Sequence, residues 1–334
     1  DGKSYSFGLH NGLRASELAT ILKEQEIFQT VEVQTPNEST LLFRLKQPFG
    51  PFLSLLALPL IAQGPYTLET ESPDQITFTA NEGFAPGRPF LDKITIKIFA
   101  DEEELRKAVA SRELTGAVTP AELNGWRRYT VQLPRNIAVI FNVEKEALRD
   151  EKTRSQILQG LPLPEKKTIT IVTSPQLKSH AESLISQWRE QNVEAKLEIV
   201  EDATLRGKTM PDRSYDVLIY GIDAGIEPDP HRFWHSSQAT GAGLNLAQVK
   251  DKNLDTLLEA ARKIVNDDER FAKYEEIERR IDELAVRKIL EPLTITYQIS
   301  GKIKGVEEVL MVTPASRYNL VWKGYTNEKR VAKE

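Results

Sequence analysis

The chain has 334 residues, of which 40% are apolar and 28% charged, a composition typical of globular proteins with about two domains. The 44 basic residues are outnumbered by 49 acidic ones, and the net charge of -5 leaves no basic surplus for binding nucleic acid. Cysteine is absent, which excludes disulfides, thiolate metal sites and cysteine nucleophiles.

The first part of the chain is predicted to form strands with short helices between them. Alternating apolar residues predict strands at 5–9, 40–45, 94–99 and 137–143. Helical spacing predicts a helix at 15–25.

Turn and cap residues add detail to this part of the chain. Ser72-Pro73-Asp74 predicts the turn of a hairpin, because Pro presets φ and Asp bonds its own backbone. Asp101, followed by three glutamates, predicts the N-cap of another helix.

The second part is predicted to be a strand-helix-strand unit followed by helices. Strands at 168–172 and 195–200 flank a helix at 176–191, and 216–220 adds a buried strand. This order predicts a parallel α/β sheet with right-handed crossovers.

Two amphipathic helices follow that sheet. Their apolar faces begin at Leu254 and Phe271, and Asn266 caps the second helix. Pro292 is predicted to end the second helix before a strand at 293–297.

The longest uncharged stretch, 47–68, contains four prolines and therefore predicts a buried loop and strand rather than a membrane helix. The chain opens at Asp1 without Met or an apolar leader, so a processed or trimmed product is expected.

No enzymatic template is present. The sequence lacks GxSxG, HExxH, a P-loop, and a GxGxxG that opens a helix after a strand. With only four histidines, general-base and metal chemistry are limited. We therefore expect neither catalysis nor an organic cofactor.

The densest candidate cluster is the segment 220–238, which follows a predicted strand at the edge where open α/β sheets place ligands. Asp223, Glu227 and Asp229 lie close together in it, and Gly221 permits close approach of backbone to a ligand. An ordinary turn aspartate is the alternative for Asp223.

A divalent-metal site is a further alternative in the same segment. His231 and His235 are four residues apart and would share one face of a helix. The simpler interpretation is that Asp229 or Pro230 starts a helix that carries surface histidines. Two histidines without a fixed third ligand favour this interpretation, so no metal is expected.

The sequence resembles bacterial extracellular solute-binding proteins of family 5, the dipeptide- and oligopeptide-binding components of ABC importers. The resemblance is carried, in collinear order, by DGKSYSFGLHNGL, STLLFRLKQPFGPFLSLLA, GPYTL, NEGFAPGRPFLDKITIKIF, IFNV with RDEKTRSQIL, and EPDPHRFWHSSQ. It implies an α/β, two-lobed periplasmic-binding-protein fold of type II with a hinge between the lobes.

The resemblance also implies the domain division. One lobe would comprise residues 1–147 plus 293–334 and the other 148–292, with crossings near 138–143 and 291–297. The family's first segment is absent before the Asp1 match, and the second lobe is shortened between Gln159 and Thr168.

In peptide-binding members of the family, an aspartate after the strand pairs with the ligand's ammonium group while backbone amides bind the peptide as an added strand. Asp223 is the nearest match, although it lies one residue further from Pro228 than in many peptide binders. Tyr220, Trp234 and Tyr297 are expected to form aromatic pocket wall.

The resemblance therefore predicts a monomeric protein outside the cytoplasmic membrane that captures peptides or similar small solutes and delivers them to an ABC importer permease. It also implies a membrane anchor in a segment before Asp1, as in a lipoprotein. Two alternatives remain: an interaction or scaffold domain with a reduced or filled cleft, and a binder of nickel-type metal solutes.

Overall fold

The structure is a computed structural model of the chain. It describes residues 14–25, 28–29, 31–56, 64–84, 86–223, 229–307, 311 and 314–326; the side chains of residues 222, 223 and 314 are outside the description. The predicted strand at 5–9 and the motif that surrounds it lie outside the described residues.

Helices and strands alternate along the described part of the chain. The helices are α1 (Ala15–Glu24), α2 (Phe52–Leu56), α3 (Glu102–Ala110), α4 (Glu151–Gln159), α5 (Lys178–Arg189), α6 (Asp202–Thr204), α7 (His231–Trp234), α8 (Lys252–Lys263) and α9 (Asp267–Glu283). The strands are β1 (Glu32–Asn37), β2 (Thr40–Arg44), β3 (Tyr66–Glu71), β4 (Gln75–Ala80), β5 (Lys93–Lys97), β6 (Gly116–Val118), β7 (Trp126–Phe141), β8 (Lys167–Thr173), β9 (Val193–Ile199), β10 (Val217–Asp223) and β11 (Arg287–Ser300).

The predicted caps and hairpin are confirmed. The Asp101 carboxylate accepts a hydrogen bond from the Glu104 N–H at 2.9 Å, which satisfies one of the free amides at the start of α3. Asn266 does the same for α9, with the Glu269 N–H as donor. Strands β3 and β4 pair antiparallel on either side of Pro73.

The prediction that Pro292 ends the last long helix is wrong. Helix α9 ends at Glu283, and Ala285 has a φ of 52°, which takes the chain out of the helical conformation. Pro292 instead lies inside β11. The helix therefore ends through a left-handed residue, a conformation that the sequence pattern does not reveal at an alanine.

The chain divides into two compact units. Unit 1 comprises Asp1–Lys46, Ala57–Leu133 and Thr294–Glu334, and unit 2 comprises Gln47–Leu56 and Pro134–Leu293. The long strands β7 and β11 contribute residues to both units. This division differs from the predicted one in placing 47–56, 134–147 and Leu293 with the second unit.

Unit 1 is built from short antiparallel pairings. Strands β3, β4 and β5 form a three-stranded antiparallel sheet, β1 pairs with β2, and β6 pairs with the last residues of β11. Helix α1 packs against β1 and buries the apolar residues Ala15, Leu18, Ala19 and Leu22. This spacing is that of an amphipathic helix and confirms the predicted element.

Unit 2 contains a sheet with the strand order β11-β7-β10-β8-β9. Strands β10, β8 and β9 are parallel, whereas β7 is antiparallel to β10, so the sheet is mixed. The prediction of a parallel sheet is correct for β8, β9 and β10 and wrong for β7. No helix within the described ranges is long and apolar enough to cross a membrane.

Each face of the unit 2 sheet carries its own apolar core. The first core includes Leu218 of β10 and Ile277 and Ile281 of α9; the second core includes Ile219 of β10 and Trp188 of α5. Strand β10 contributes to both, because successive residues of a strand point to opposite faces.

Candidate functional site

The candidate site lies at the carboxyl end of β10 in unit 2. Strand β10 pairs with β7 over all of its residues, from Val217 to Asp223, but with β8 only over Val217, Leu218 and Ile219. Residues 220–223 therefore extend beyond the ladder with β8 and leave one backbone edge outside it. An extended chain can add to such an edge as a further strand.

The contacts at the end of β8 explain why residues 220–223 of β10 have no pairing with that strand. The Thr173 hydroxyl donates to the Ile219 carbonyl at 2.9 Å, and the Thr173 carbonyl accepts from the Val200 N–H after β9. Strand β8 therefore ends at Thr173, while β10 continues for four more residues.

The predicted site residues on β10 occupy two faces of the sheet. Tyr220 is half-buried against the first core, and its ring lies 5.9 Å from the Arg206 guanidinium carbon. Gly221 belongs to the other face, by the two-residue alternation of the strand. The Asp223 side chain lies outside the described part, and its contact with a ligand stays a prediction.

Arg135 is a residue that sequence reasoning missed. It lies on β7 directly opposite Asp223 in the antiparallel register and is half-buried. A Cβ built on Gly221 would lie 3.1 Å from the Arg135 Cδ, so the glycine leaves room for the arginine stem. Only the pairing of β7 with β10 reveals this neighbour, because 86 to 88 residues separate it from Gly221 and Asp223 along the chain.

The two other predicted aromatic residues are covered by neighbours in their own units. Trp234 of α7 is 6% exposed within the first core of unit 2, with the Arg287 guanidinium carbon 5.6 Å from its ring. In unit 1, Tyr297 is 5% exposed and stacks on Tyr129 at a centroid distance of 4.9 Å. Their contact with a ligand stays a prediction.

The predicted histidine pair is stacked. The His231 and His235 rings are 4.1 Å apart and 11° from parallel, and the His235 Nε2 lies 3.5 Å from a Glu259 oxygen and 3.8 Å from an Asp255 oxygen. Among the residues the structure describes, no group of three or more His, Cys, Asp or Glu side chains is placed to hold a metal ion.

The surroundings of His231 predict acid sensitivity. Burial, then the positive charges of Arg262 and His235, lower the pKa of His231 to about 4, against the opposing effect of Asp229 and Glu259. Because the unfolded chain takes up this proton near pH 6.5 and the folded chain only near 4, stability should fall as pH drops between these values. We expect about 2 kcal/mol of this loss to disappear in His231→Gln, allowing for the residue's partial exposure.

Thermal unfolding at pH 7 and at pH 4.5 measures this difference for both proteins. His180→Gln is the matched control, because His180 lies on α5, away from the stacked pair. An equal acid-induced loss in the wild type and in His231→Gln would contradict the assignment.

Asp229, which lies just before α7, is held by Arg262 of α8. The Arg262 Nε and Nη2 donate to one Asp229 oxygen at 2.9 and 2.7 Å, and the other oxygen accepts from the His231 N–H at 3.2 Å. The Arg262 guanidinium also lies 5.4 Å from the Phe49 ring. The start of α7 is thus fixed to α8 and to the segment 47–56.

Sequence comparison finds no matching family model but does find relatives. The chain is 21% identical to the oligopeptide-binding protein AppA of Bacillus subtilis over 298 residues, covering 67% of this chain and 55% of AppA. It is 23% identical to protein XP55 of Streptomyces lividans over 209 residues, covering 51% of this chain and 36% of XP55. The match thus spans about half of AppA and about a third of XP55.

Solved structures show the same fold. AppA of Bacillus subtilis in complex with a nonapeptide has a TM-score of 0.73 and 17% identity, with coverage of 90% of this chain and 79% of that one. The substrate-binding protein CtaP of Listeria monocytogenes gives 0.77 and 18%, with coverage of 95% and 84%. The periplasmic binding protein DppA of Helicobacter pylori, in complex with the peptide STSA, gives 0.76 and 15%, with coverage of 92% and 76%.

These comparisons agree with the order of motifs along the sequence. Both the AppA sequence and the AppA fold match this chain, and the shared fold extends over nine-tenths of its residues. The resemblance to family 5 of the extracellular solute-binding proteins is therefore confirmed, and the chain has the α/β type II fold of the periplasmic binding proteins.

Proposed function

We propose that this protein is an extracytoplasmic solute-binding protein that captures peptides or similar small solutes and delivers them to the permease of an ABC importer. It would act as a monomer outside the cytoplasmic membrane, attached through a segment before Asp1, and would carry out no reaction. The similar proteins AppA and DppA, which hold peptides in their solved structures, support this proposal.

One observation in this chain carries the proposal: residues 220–223 of β10 extend past the ladder with β8. Backbone N–H and C=O groups along that edge would bind the main chain of an extended peptide irrespective of its sequence. Asp223, at the end of the strand, would pair with the peptide's ammonium group, and Gly221 would let the two backbones approach closely.

Native mass spectrometry of freshly purified protein, compared with its denatured mass, tests this function. We expect adducts at peptide masses, or adducts after incubation with a mixed peptide pool. Asp223→Ala should lose at least nine-tenths of them, because a charge-assisted hydrogen bond contributes about 1.5–3 kcal/mol. Glu198→Ala, which removes an exposed carboxylate from the edge strand β9, is the matched control and should keep them.

The outcomes distinguish an error in the proposed function from an error in the role given to Asp223. If the purified protein carries no adduct of a peptide or other small solute and the protein incubated with the pool carries no peptide adduct, the transport function is wrong. Retained adducts in Asp223→Ala would leave the function intact and remove Asp223 from the site.

A second candidate function is an interaction domain that keeps the fold without binding a solute. The covered positions of Trp234 and Tyr297 favour it, because each ring is packed by neighbours of its own unit. A protein that stays free of adducts in the peptide pool would support this candidate.

A further inference from the structure

Three aromatic side chains of unit 1, Phe90, Trp322 and Tyr325, form an aromatic patch at its surface. Phe90 is 59% exposed and Tyr325 is 44% exposed, and no large apolar side chain of the described residues is more exposed than Phe90. The two rings meet edge to face at a centroid distance of 6.3 Å. Trp322 is half-buried and meets Phe84 in a similar geometry at 5.7 Å. Exposed aromatic side chains that are grouped in this way indicate an interaction surface.

Backbone hydrogen bonds hold the aromatic patch in place. Lys304 and Tyr325 pair as a β-bridge, with N–H to carbonyl distances of 2.8 and 3.0 Å. The Phe90 N–H donates to the Trp322 carbonyl at 3.4 Å. Gly305 lies against the Tyr325 ring, because a Cβ added there would lie 2.9 Å from two of the ring carbons. The rings are thus presented by an ordered backbone, so binding through them costs little loop entropy.

Positive charge lies beside the aromatic patch. Lys302 and Lys304 are exposed, and neither has an acidic partner among the described residues. Arg127 is exposed as well, and its Nη2 donates to the Ile303 carbonyl at 2.7 Å. Uncompensated positive charge therefore remains at this surface, although the whole chain has a net charge of -5. The described carboxylates that neighbour the patch along the chain are already paired with cations: Glu82 and Asp92 with Arg88 at 2.5 and 2.7 Å, and Glu307 with Lys323 at 2.9 Å.

An anionic phospholipid surface complements both features. Aromatic side chains prefer the headgroup level of a bilayer, where the ring meets apolar chains and its polar edge meets water. Lysines beside such rings bind lipid phosphates, while their alkyl stems lie along apolar surface. An apolar protein partner would instead bury Lys302 and Lys304 without compensating their charge, which is costly. The charge pattern therefore favours a membrane over an apolar partner.

We propose that the aromatic patch, together with Lys302 and Lys304, binds the anionic phospholipid surface of the membrane. This inference rests on the location in the proposed function, outside the cytoplasmic membrane, and adds a contact between unit 1 and that membrane. Phe90 and Tyr325 insert into the headgroup region, and the two lysines bind lipid phosphates. The proposed attachment before Asp1 keeps the chain near the membrane, and the patch supplies a second contact that orients unit 1 on it.

Co-sedimentation with vesicles tests this proposal. The probes are vesicles of phosphatidylcholine alone and vesicles of phosphatidylcholine mixed with phosphatidylglycerol, each titrated into the wild type at low and at high salt. We expect at least about tenfold tighter binding to the vesicles that contain phosphatidylglycerol, because each lysine near an anionic surface adds to the binding. High salt should remove most of this preference by screening the charges.

Charge variants separate the role of the two lysines from that of net charge. Lys302→Glu combined with Lys304→Glu should lose the preference for phosphatidylglycerol. Lys152→Glu combined with Lys252→Glu is the matched control, because it changes the net charge equally at two exposed lysines of unit 2. This control should keep the preference.

A second pair of variants tests the rings. Phe90→Ser should weaken binding to the phosphatidylglycerol vesicles by at least about threefold, because the most exposed ring no longer enters the headgroup region. Phe271→Ser, which removes a phenyl ring that is 48% exposed on α9 of unit 2, is the control and should bind like the wild type. Circular dichroism checks the fold of every variant, and native mass spectrometry checks its solute adducts.

Three results would overturn the inference and leave the proposed function standing. The first is equal or undetectable binding of the wild type to the two kinds of vesicle, and the second is an unchanged preference in the variant with both Lys302→Glu and Lys304→Glu. The third is a concentration-dependent dimer of the wild type that Phe90→Ser abolishes, which would assign the patch to a second copy of the chain. A wild type that prefers phosphatidylglycerol but carries no peptide or other solute adduct would instead contradict the proposed function and support the lipid contact.

Discussion

Replacing Arg154 by Met should lower the free energy of unfolding by about 3–5 kcal/mol, because a buried cation that organises several carbonyls would be removed. Arg154 of α4 is 4% exposed. Its guanidinium donates to the carbonyls of Leu148 and Arg149 at 2.8 and 2.9 Å and to those of Leu284 and Ala285 at 2.6 and 3.3 Å.

The four carbonyls belong to two turns that the arginine holds together. Leu148 and Arg149 lie between β7 and α4, and Leu284 and Ala285 lie between α9 and β11. Met fills a similar volume but donates no hydrogen bond, so three buried acceptors and one partly buried acceptor would lose their partner. Ala285 has a positive φ that its own side chain does not favour, so the hydrogen bond from Arg154 helps to hold this turn.

Urea and thermal unfolding followed by circular dichroism measure this loss. Arg149→Met is the matched control: it removes an exposed arginine five residues away, and we expect a change within about 0.5 kcal/mol. Arg154→Lys should fall between the two, because an ammonium group reaches fewer of the carbonyls. Equal stability of Arg154→Met and Arg149→Met would show that water satisfies the carbonyls.

The local elements were predictable because their causes are local. The caps at Asp101 and Asn266 and the turn at Pro73 each depend on a side chain and the backbone within three residues of it. The family motifs, although each is short, are collinear and predicted the fold that the comparisons confirm.

The parts that could not be predicted depend on contacts between distant residues. Arg135 matches no motif, and only the register of β7 on β10 makes it a neighbour of Asp223. Tyr220 and Gly221 are adjacent along the chain, whereas strand alternation assigns the two positions to opposite faces of the sheet.

The association of segment 47–56 with unit 2 was equally hidden, since its sequence shows only an uncharged stretch interrupted by prolines. Within unit 2, Gly50 of this segment lies close to the residues that link α8 to α9. Its N–H donates to the Arg262 carbonyl at 2.8 Å, and a Cβ added there would lie 2.2 Å from the Ile264 carbonyl oxygen and 2.8 Å from the Arg270 Nη1. Such distances to a backbone oxygen cannot be relieved by rotating a side chain.

Neither group can move without further loss. Arg270 is 2% exposed, and its Nη1 donates to the Ile264 and Val265 carbonyls at 3.0 and 3.2 Å. Moving it away from a new Cβ would break these hydrogen bonds and uncover the end of α8. A side chain added at Gly50 is therefore expected to displace segment 47–56 rather than Arg270.

Gly50→Val should accordingly destabilise unit 2 by about 3 kcal/mol or more and release segment 47–56, an effect larger than ordinary overpacking of an apolar core. Hydrogen exchange should rise over 47–56 and, because Arg262 links Gly50 and Phe49 to Asp229, also over the start of α7. Gly207→Val, where a Cβ would meet no atom within 4 Å, is the control and should leave the exchange of segment 47–56 unchanged. Increased exchange confined to 47–56 would mean that Asp229 and Arg262 hold α7 without help from Phe49. Unchanged exchange throughout the protein would contradict the close packing of Gly50 against the end of α8.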